Sequence, residues 1–483
     1  MSVFRQVAQN TVLQLLGKVG GTALGFSATL FLLRYLGDEK YGNYTSALAY
    51  LQLFGIVMDL GLYVVLLKYI NQPEHHNDRF FNNIFTMRVL TAVMFLLFAC
   101  GLVWFIPNYP VIVQQAVVVV AANFLFITLN QLFLGLYQHH MNMRSIALAE
   151  IAGKIVLLMS TVLVIYVWHG GLLVIMGTVV MSGAVNFALL WWRAQRYQAI
   201  TLAFDWSVWR QVLKDSWPIA LAIALNLIYF KADTFILALY HSQADVGIYG
   251  APYKILEVFI TIPAMIVGLV LPLLGQAISA KDHPLVKKLY QQTLNGLLIL
   301  GLPLVVGVWF TAEPLMLLTA GTDFTSQPQV LGQLLRLLMI AVVMIFIGTL
   351  TGYMVVIVNR QKQMLWGYGF VAVTALVSYF YFIPRYSYYG AAAVTIYSET
   401  LMMLIGLWIV YRATGLLPQL QMVLKILAAN AIMGVVVWWF QDWPVLGVIP
   451  LAIIIYTLAL LLVRAVSRQE LQTIIDVRHH VNT

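Results

Sequence analysis

Charged residues are scarce in this sequence, which has 27 lysines and arginines and 18 aspartates and glutamates among 483 residues. Charged side chains make up 9% of the chain. A soluble domain carries about 25%, so this chain cannot cover itself with a hydrated surface. A single cysteine, Cys100, excludes an intramolecular disulfide. Hydrophobic residues, in contrast, make up 62% of the chain. This composition predicts an integral membrane protein.

Signatures of catalysis and of cofactor binding are also missing. The sequence has no glycine-rich loop followed by Lys-Ser or Lys-Thr, so nothing indicates ATP hydrolysis. The histidine pairs 75–76, 139–140 and 479–480 have no spaced cysteine partners, which argues against a metal site. The predicted outer loops are short, the longest at about 312–330, and offer no platform of catalytic acids. We predict no enzyme activity, no cofactor and no metal.

Long apolar runs recur along the whole chain, and about 20 residues of helix cross the roughly 30 Å of hydrocarbon in a bilayer. The first run contains Lys18 and lacks a clear cleavage site, so we interpret it as a retained helix and not as a signal peptide. We predict about fourteen spans, at 10–33, 42–66, 84–106, 112–137, 145–168, 170–192, 217–240, 249–275, 289–311, 331–358, 364–383, 388–411, 422–441 and 444–464.

Basic residues occupy every second loop between these spans. Cytoplasmic loops carry the excess of lysine and arginine in membrane proteins, so both termini are expected in the cytoplasm. The same pattern accounts for the net charge of +9 without nucleic-acid binding. The basic side has Arg5, Lys68, Arg79, Arg144, Arg193, Arg196, Arg210, Lys214, Lys281, Lys287, Lys288, Arg360, Lys362, Arg412, Arg464, Arg468 and Arg478, and the other side has only Arg34, Lys40 and Arg385.

One stretch occurs twice, 205 residues apart. Residues 35–54 read YLGDEKYGNYTSALAYLQLF, and residues 240–259 read YHSQADVGIYGAPYKILEVF. Gly42 aligns with Gly247, and Tyr44 with Tyr249. The offset covers six spans, an even number, so the two halves should enter the membrane in the same direction and be related by an axis along the membrane normal.

This repeat predicts an all-α membrane protein of two six-helix lobes followed by two further helices. The predicted parts are an N-terminal lobe at 1–192, a cytoplasmic linker with an interfacial helix at 193–216, a C-terminal lobe at 217–411, spans 13 and 14 at 412–464, and a cytoplasmic tail at 465–483.

Ionisable residues inside spans are costly in lipid, about 2.5–3.5 kcal/mol each, so they should face a cavity or a partner. Local pairing is an alternative for Glu150 with Lys154 and for Lys254 with Glu257. Arg88, Glu150 and Lys425 lie near predicted cytoplasmic ends, where the alternative is a side chain that snorkels to the interface. The candidates for a cationic substrate cavity are Lys18, Arg34, Lys231, Lys254 and Arg336, and the candidates for ion coupling are Asp59, Asp233, Glu257 and Glu399. A cavity lined by cations favours an anionic cargo.

Several stretches resemble the Wzx-type flippases of polysaccharide repeat units, over roughly residues 1–410. They are NTVLQLLGKVGGTALGF, RYLGDEKYGNYTSALAY and DLGL near the N-terminus, then FKADTFILALYHSQADVGIYGAPYKILE, and the VNRQKQ loop. The resemblance implies alternating access by two lobes that carry an undecaprenyl-diphosphate-linked oligosaccharide to the outer leaflet, with an ion gradient often proposed as the driver. Of the candidate residues, we carry over from this resemblance Lys18, Arg34, Lys231 and Asp233, as residues that could line a cavity. The resemblance also implies that the chain lies in a bacterial inner membrane.

Other functions stay open at this point. Wzx-type flippases belong to a superfamily with the lipid II flippases and the multidrug and toxin exporters. The intramembrane acids would suit a multidrug or cation antiporter of that superfamily, and a lipid II flippase would differ mainly in its cargo. A membrane enzyme or a scaffold is a further alternative; a set of catalytic acids on one outer loop would have favoured the enzyme. For a polysaccharide flippase, the expected partners are the lipid-linked oligosaccharide and membrane lipid. A polysaccharide polymerase and a chain-length regulator are further candidates.

Overall fold

The structure, a computed structural model, describes residues 3–70 and 77–465; within these ranges the side chains of residues 3–13, 56–57, 59, 77–78 and 420 are not described. The residues that it describes form helices and turns and no β-strand, which confirms the all-α prediction. The predicted tail lies, from residue 466 on, outside the described residues.

Fourteen α-helices follow one another in the described ranges. They are α1 (Val3–Asp59), α2 (Leu62–Ile70), α3 (Asn77–Leu102), α4 (Val111–His139), α5 (Met143–Leu163), α6 (Leu172–Ala194), α7 (Trp206–Tyr240), α8 (Gln243–Phe259), α9 (Thr261–Ser279), α10 (His283–Ala320), α11 (Pro328–Ile357), α12 (Gln361–Thr414), α13 (Leu420–Trp439) and α14 (Val445–Leu462). A 3₁₀ turn, Val103–Phe105, follows α3, and a π-helical turn, Val164–Trp168, follows α5.

Twelve helical segments in the described ranges are long and apolar enough to cross a membrane. Two of them hold two predicted spans each, because α1 breaks at Gly37 (φ 68°) and α12 breaks at Ser387 (φ 49°). Both breaks use the left-handed region of backbone space, which glycine enters readily and serine does not. The fourteen predicted spans therefore fall on described helical segments, although turns at 60–61 and at 260 interrupt the spans 42–66 and 249–275. The prediction of a many-span membrane protein is confirmed.

The chain divides into two compact units. Unit 1 contains residues 1–251, 320–326 and 368–394. Its core lies among α2, α3, α4 and α6, where the rings of Phe85, Phe133, Phe187 and Trp191 contact one another. Aromatic side chains bring a large apolar surface to such a cluster and fix the angles between the helices that carry them.

Within unit 1, α7 begins at Trp206 and continues unbroken to Tyr240, so the segment predicted as an interfacial helix forms the first turns of this helix. Asp205 caps its start, since Oδ1 accepts a hydrogen bond from the Ser207 amide at 2.9 Å. The other carboxylate oxygen pairs with the guanidinium of Arg79, whose Nε donates at 3.0 Å. This pair joins the start of α3 to the start of α7.

Unit 2 contains residues 252–319, 327–367 and 395–483. Its described core joins α13 and α14 to α10, with Met433, Val437 and Tyr456 among the buried residues. The Tyr456 hydroxyl donates to the Ile299 carbonyl at 2.9 Å, which satisfies a polar group that lipid would leave without a partner. Spans 13 and 14 are thus packed on α10 of their own unit.

The two copies of the repeated stretch contact each other in unit 1. A Cβ added to Gly42 would lie 1.6 Å from the Gln243 carbonyl oxygen, and a Cβ added to Gly247 would lie 1.9 Å from the Asp38 carbonyl oxygen. Nearby, the Ser46 hydroxyl donates to the side-chain oxygen of Gln243 at 2.5 Å. The residue pairs are related by the repeat offset, so the contact has the local symmetry that the sequence repeat suggests.

Candidate functional site

Lys18 lies on α1 beside a glycine seam that packs on α5. A Cβ on Gly17 would lie 2.5 Å from the Ala147 Cβ, and a Cβ on Gly21 would lie 3.1 Å from a carboxylate oxygen of Glu150. Glycines at this spacing let two membrane helices approach closely. The Lys18 side chain is exposed and interacts electrostatically with Glu150, as does Lys154. The seam therefore brings a carboxylate close to the predicted substrate cation.

Arg34 also has an exposed side chain, three residues before the break at Gly37. Its Cγ would lie 3.5 Å from a Cβ added to Gly321, in the segment 320–326 that belongs to the same unit. The adjacent Phe324 carbonyl accepts a hydrogen bond from the Asp38 amide at 2.8 Å. Arg34 thus lies at the end of the first half of α1, next to a fixed loop.

Lys231 and Asp233, two residues apart on α7, have different surroundings. The Lys231 side chain is half-buried, and its Nζ lies 5.2 Å from the ring centroid of Phe230. Asp233 is fully buried: its Oδ2 accepts from the Tyr249 hydroxyl at 2.6 Å and its Oδ1 from the Thr234 amide at 2.6 Å. Tyr249 belongs to the second repeat copy, so Asp233 ties α7 to α8.

Lys254 and Glu257 form an ion pair on α8, with Nζ 2.8 Å from the carboxylate oxygen Oε2. Their side chains are 38% and 27% exposed. A lysine and a glutamate three residues apart lie on the same helix face, as the sequence alternative of local pairing required. Lys254 and Glu257 were candidates for different roles, and the structure places them together.

Arg336 on α11 contacts an acid that the sequence analysis missed. Its terminal nitrogen lies 3.3 Å from Glu313 Oε1, and its Nε donates to the Trp309 carbonyl at 2.8 Å. A Cβ on Gly332 would lie 2.4 Å from the Glu313 Cγ, so a glycine at this position leaves room for the pair. The sequence placed Glu313 in an outer loop, whereas α10 continues to Ala320. Continuation of an apolar helix past Pro314 was the only signal that could have identified it.

Glu399 lies on the part of α12 that belongs to unit 2, and it is 7% exposed. Its carboxylate forms no hydrogen bond or ion pair with any residue in the part of the chain that the structure describes. A buried ionised carboxylate without a partner is costly, so binding of a proton or a cation would stabilise it. Asp59, the remaining acid in the prediction, has a side chain outside the described set.

Arg88 corrects an expectation, because its side chain is 1% exposed and does not snorkel. Its Nε donates to the Thr128 carbonyl at 3.2 Å, and a terminal nitrogen donates to the Met58 carbonyl at 3.1 Å. The other terminal nitrogen donates to the Gln131 side chain. The guanidinium has several donors in a fixed fork, which suits it to hold the end of α1 against α4.

The fold and these intramembrane charges define a polytopic α-helical membrane protein. Residues 7–278, more than half of the chain, match the family described as "Polysaccharide biosynthesis protein", and the chain belongs to this family. Residues 218–384 also match the MatE family. The resemblance to polysaccharide flippases that the sequence indicated is confirmed.

A curated relative, the "Succinoglycan biosynthesis transport protein ExoT" of Rhizobium meliloti (strain 1021), is 22% identical over 344 residues. The match covers 68% of this chain and 66% of ExoT, so it spans just under two thirds of that relative.

Solved structures share the fold at low sequence identity. "Lipid II flippase MurJ, inward closed conformation" has a TM-score of 0.77 at 14% identity and covers 93% of this chain and 98% of its own. An inward-facing multidrug resistance MATE family transporter of the MOP superfamily has a TM-score of 0.68 at 15% identity, covering 84% of this chain and 98% of its own.

Proposed function

We propose that this protein is a flippase for an undecaprenyl-diphosphate-linked oligosaccharide, which it carries from the cytoplasmic to the outer leaflet for surface polysaccharide synthesis. In this proposal both termini are cytoplasmic and the lobes 1–192 and 217–411 alternate in access. A polysaccharide polymerase and a chain-length regulator would act on the delivered cargo.

The observation that carries the proposal is the placement of two lysines inside spans of a polysaccharide-family chain. Lys18 is exposed on α1 and Lys231 is half-buried on α7, so both residues keep surface that a ligand can reach. A diphosphate supplies the acceptor oxygens that such cations bind through strong, charge-assisted hydrogen bonds. The nearby Glu150 and Asp233 lower the local positive charge, which would favour release of the anion once it has crossed.

A reconstituted flipping assay tests this proposal. The purified chain is placed in liposomes with a fluorescent undecaprenyl-diphosphate oligosaccharide, and the fraction that crosses is read by an impermeant quencher. Lys18→Ala and Lys231→Ala should each lower the rate about tenfold or more, the loss expected for one charge-assisted hydrogen bond. Lys362→Ala, which removes an exposed lysine at the start of α12, is the control.

Normal crossing in both cavity variants, or no crossing by the wild-type protein, would refute the proposal. A second arm with labelled lipid II distinguishes the cargo: faster crossing of lipid II than of the oligosaccharide would assign the chain to the lipid II flippases instead.

A cation antiporter is the second candidate, because of the buried Glu399 and the MatE match over residues 218–384. Carboxylates inside a membrane protein commonly serve as proton or cation sites. Efflux of a cationic dye from inverted vesicles under a proton gradient tests this function. Efflux that disappears in Glu399→Gln, together with no flipping of the oligosaccharide, would favour the antiporter.

A further inference from the structure

Unit 2 has a cavity of about 610 Å³ at one end of its helices, where three interhelical turns meet. The turns are α9 to α10, α11 to α12, and α12 to α13, and the wall residues fall within 278–291, 357–359 and 413–419. All three turns belong to the basic side of the predicted topology. The volume lies within the range of about 300–1,000 Å³ that is usual for small-ligand sites.

Three residues with left-handed backbone conformation shape the turns around this cavity. Lys281 (φ 57°), Asn359 (φ 56°) and Gly415 (φ 70°) are all left-handed, one at the end of each of three helices. A left-handed residue after a helix turns the chain sharply away from the helix axis. The three turns therefore diverge around a hollow and do not close over it.

Gln291, a buried residue of α10, fixes the third turn. Its side-chain nitrogen donates to the Leu417 carbonyl, and its side-chain oxygen accepts from the Gln419 amide at 3.3 Å. Both side-chain groups are thus used to hold residues 417–419 at the wall. Residues held by a buried hydrogen-bonding side chain form a defined surface, so this cavity is part of the folded unit.

The wall of the cavity carries both basic side chains and buried apolar side chains. Lys281, His283 and Lys287 contribute the basic groups, whereas Val286 and Leu416 are buried apolar residues at the same wall. The neighbouring acid, Asp282, is not part of the wall, and its Oδ1 accepts from the Leu285 amide at 3.0 Å, at the start of α10.

We propose that this cavity binds the phosphate-bearing headgroup of a lipid, with Lys281 and Lys287 on the phosphate. Basic pockets between helices at the cytoplasmic side are suited to anionic headgroups, because the acyl chains stay in the leaflet. The phosphate can belong to a bilayer phospholipid or to a polyprenyl diphosphate. The site is separate from the residues assigned to transport above and does not depend on the proposed cargo.

Lipid retention by the purified full-length chain tests the site. The protein is exchanged into phosphatidylcholine with a small fraction of phosphatidylglycerol, and bound lipids are counted by native mass spectrometry. The test variant combines Lys281→Asn with Lys287→Ala; asparagine tolerates the left-handed backbone at 281. The control is Lys288→Ala, which removes one positive charge from α10 at a residue outside the cavity wall; the single variant Lys287→Ala matches it in charge.

The wild-type protein and Lys288→Ala should retain phosphatidylglycerol, and the double variant should bind it about tenfold more weakly, at an unchanged melting temperature. Equal retention in all three proteins, or equal loss in the double variant and in the control, would overturn the proposal. Single Lys287→Ala and Lys287→Arg proteins repeat the comparison if the double variant melts early; arginine should retain binding.

Competition identifies the source of the phosphate. If undecaprenyl diphosphate displaces phosphatidylglycerol from the wild-type protein but binds the double variant weakly, the cavity takes a polyprenyl headgroup. If it displaces none, the occupant is a bilayer phospholipid. Both results support the site, and neither depends on transport activity, so a failed flipping assay would leave this test intact.

Discussion

The backbones of Gly42 and Gly247 lie against each other in unit 1, at equivalent positions of the two repeat copies. A Cβ added to Gly42 would lie 2.9 Å from the Gly247 amide nitrogen, and a Cβ added to Gly247 would lie 3.0 Å from the Gly42 amide nitrogen. This reciprocity is what a local two-fold relationship produces, because each copy makes the same contact with the other. Only glycine fits at a crossing this close.

Substitution of either glycine should therefore separate the two copies. Gly42→Ala and Gly247→Ala each place a methyl group against a backbone carbonyl, which cannot move away as a flexible side chain would. We expect a loss of about 1–3 kcal/mol of stability for each, as for overpacking elsewhere. Thermal unfolding of the purified protein measures it. Gly348→Ala on α11, where an added Cβ has nothing within 4 Å, is the control and should unfold like the wild-type protein.

The repeat and the spans could be predicted because they depend on local pattern. The fourteen predicted apolar runs fall on helical segments of the structure. Gly42 and Gly247, which the repeat aligns, contact each other. The partners of the intramembrane charges could not be predicted, because they depend on how helices distant in sequence pack. Glu313 shows this, since its identity as the partner of Arg336 required the continuation of α10 beyond the predicted span.

The burial of Arg88 could not be predicted from the sequence either. Its position near a predicted cytoplasmic end suggested a side chain that reaches water, yet its guanidinium donates to Thr128 and Met58 carbonyls inside unit 1. The acceptors are backbone groups of other helices, and a sequence gives no periodic signal for them. The roles of Lys18, Arg34 and Lys231 in substrate binding stay predictions.

The Asp233–Tyr249 hydrogen bond should be a structural contact with a measurable effect. Tyr249→Phe removes the hydroxyl that donates to Oδ2 at 2.6 Å and leaves a fully buried carboxylate short of a donor. We expect a loss of about 1–3 kcal/mol, the cost of an unsatisfied buried group. Thermal unfolding of Tyr249→Phe and of Tyr290→Phe measures it; the Tyr290 hydroxyl has no partner among the described residues, so its loss should cost less. Equal losses would contradict the assignment.

Variants of the Arg336–Glu313 pair distinguish a structural role of Arg336 from a role in substrate binding. A double-mutant cycle with Arg336→Ala and Glu313→Ala should give a coupling of about 0.5–1 kcal/mol, because the side chains are 29% and 42% exposed and the solvent screens them. If Arg336 acts by this pair, the two single variants should lower transport by similar factors. A much larger loss of transport in Arg336→Ala than in Glu313→Ala would favour direct contact with the substrate.

Acid should weaken the Arg79–Asp205 ion pair, which joins the start of α3 to the start of α7. The hydrogen bond from Arg79 lowers the pKa of Asp205 from its ordinary value of 3.8 to about 2. Because the pKa is lower in the folded state, the contribution to stability is complete above 3.8 and is lost as the pH falls through about 2. Asp205→Asn should unfold at a lower temperature than the wild-type protein at neutral pH, and the difference should shrink across this interval. A difference that is independent of pH would show that the charge pair contributes nothing.

Glu399, whose carboxylate has no partner among the described residues, should couple transport to an ion gradient if it is the site of a proton or a cation. Glu399→Gln keeps the shape and cannot change charge, so downhill flipping in liposomes should continue while its acceleration by an imposed gradient disappears. Thr400→Ala, which removes a hydroxyl that donates to the Ile396 carbonyl on the same helix, is the matched control and should keep the acceleration. Separate proton and sodium gradients identify the ion. An equal response of the wild-type and Glu399→Gln proteins to both gradients would exclude Glu399 as the coupling residue and leave Asp59, Asp233 and Glu257 to be tested in the same way.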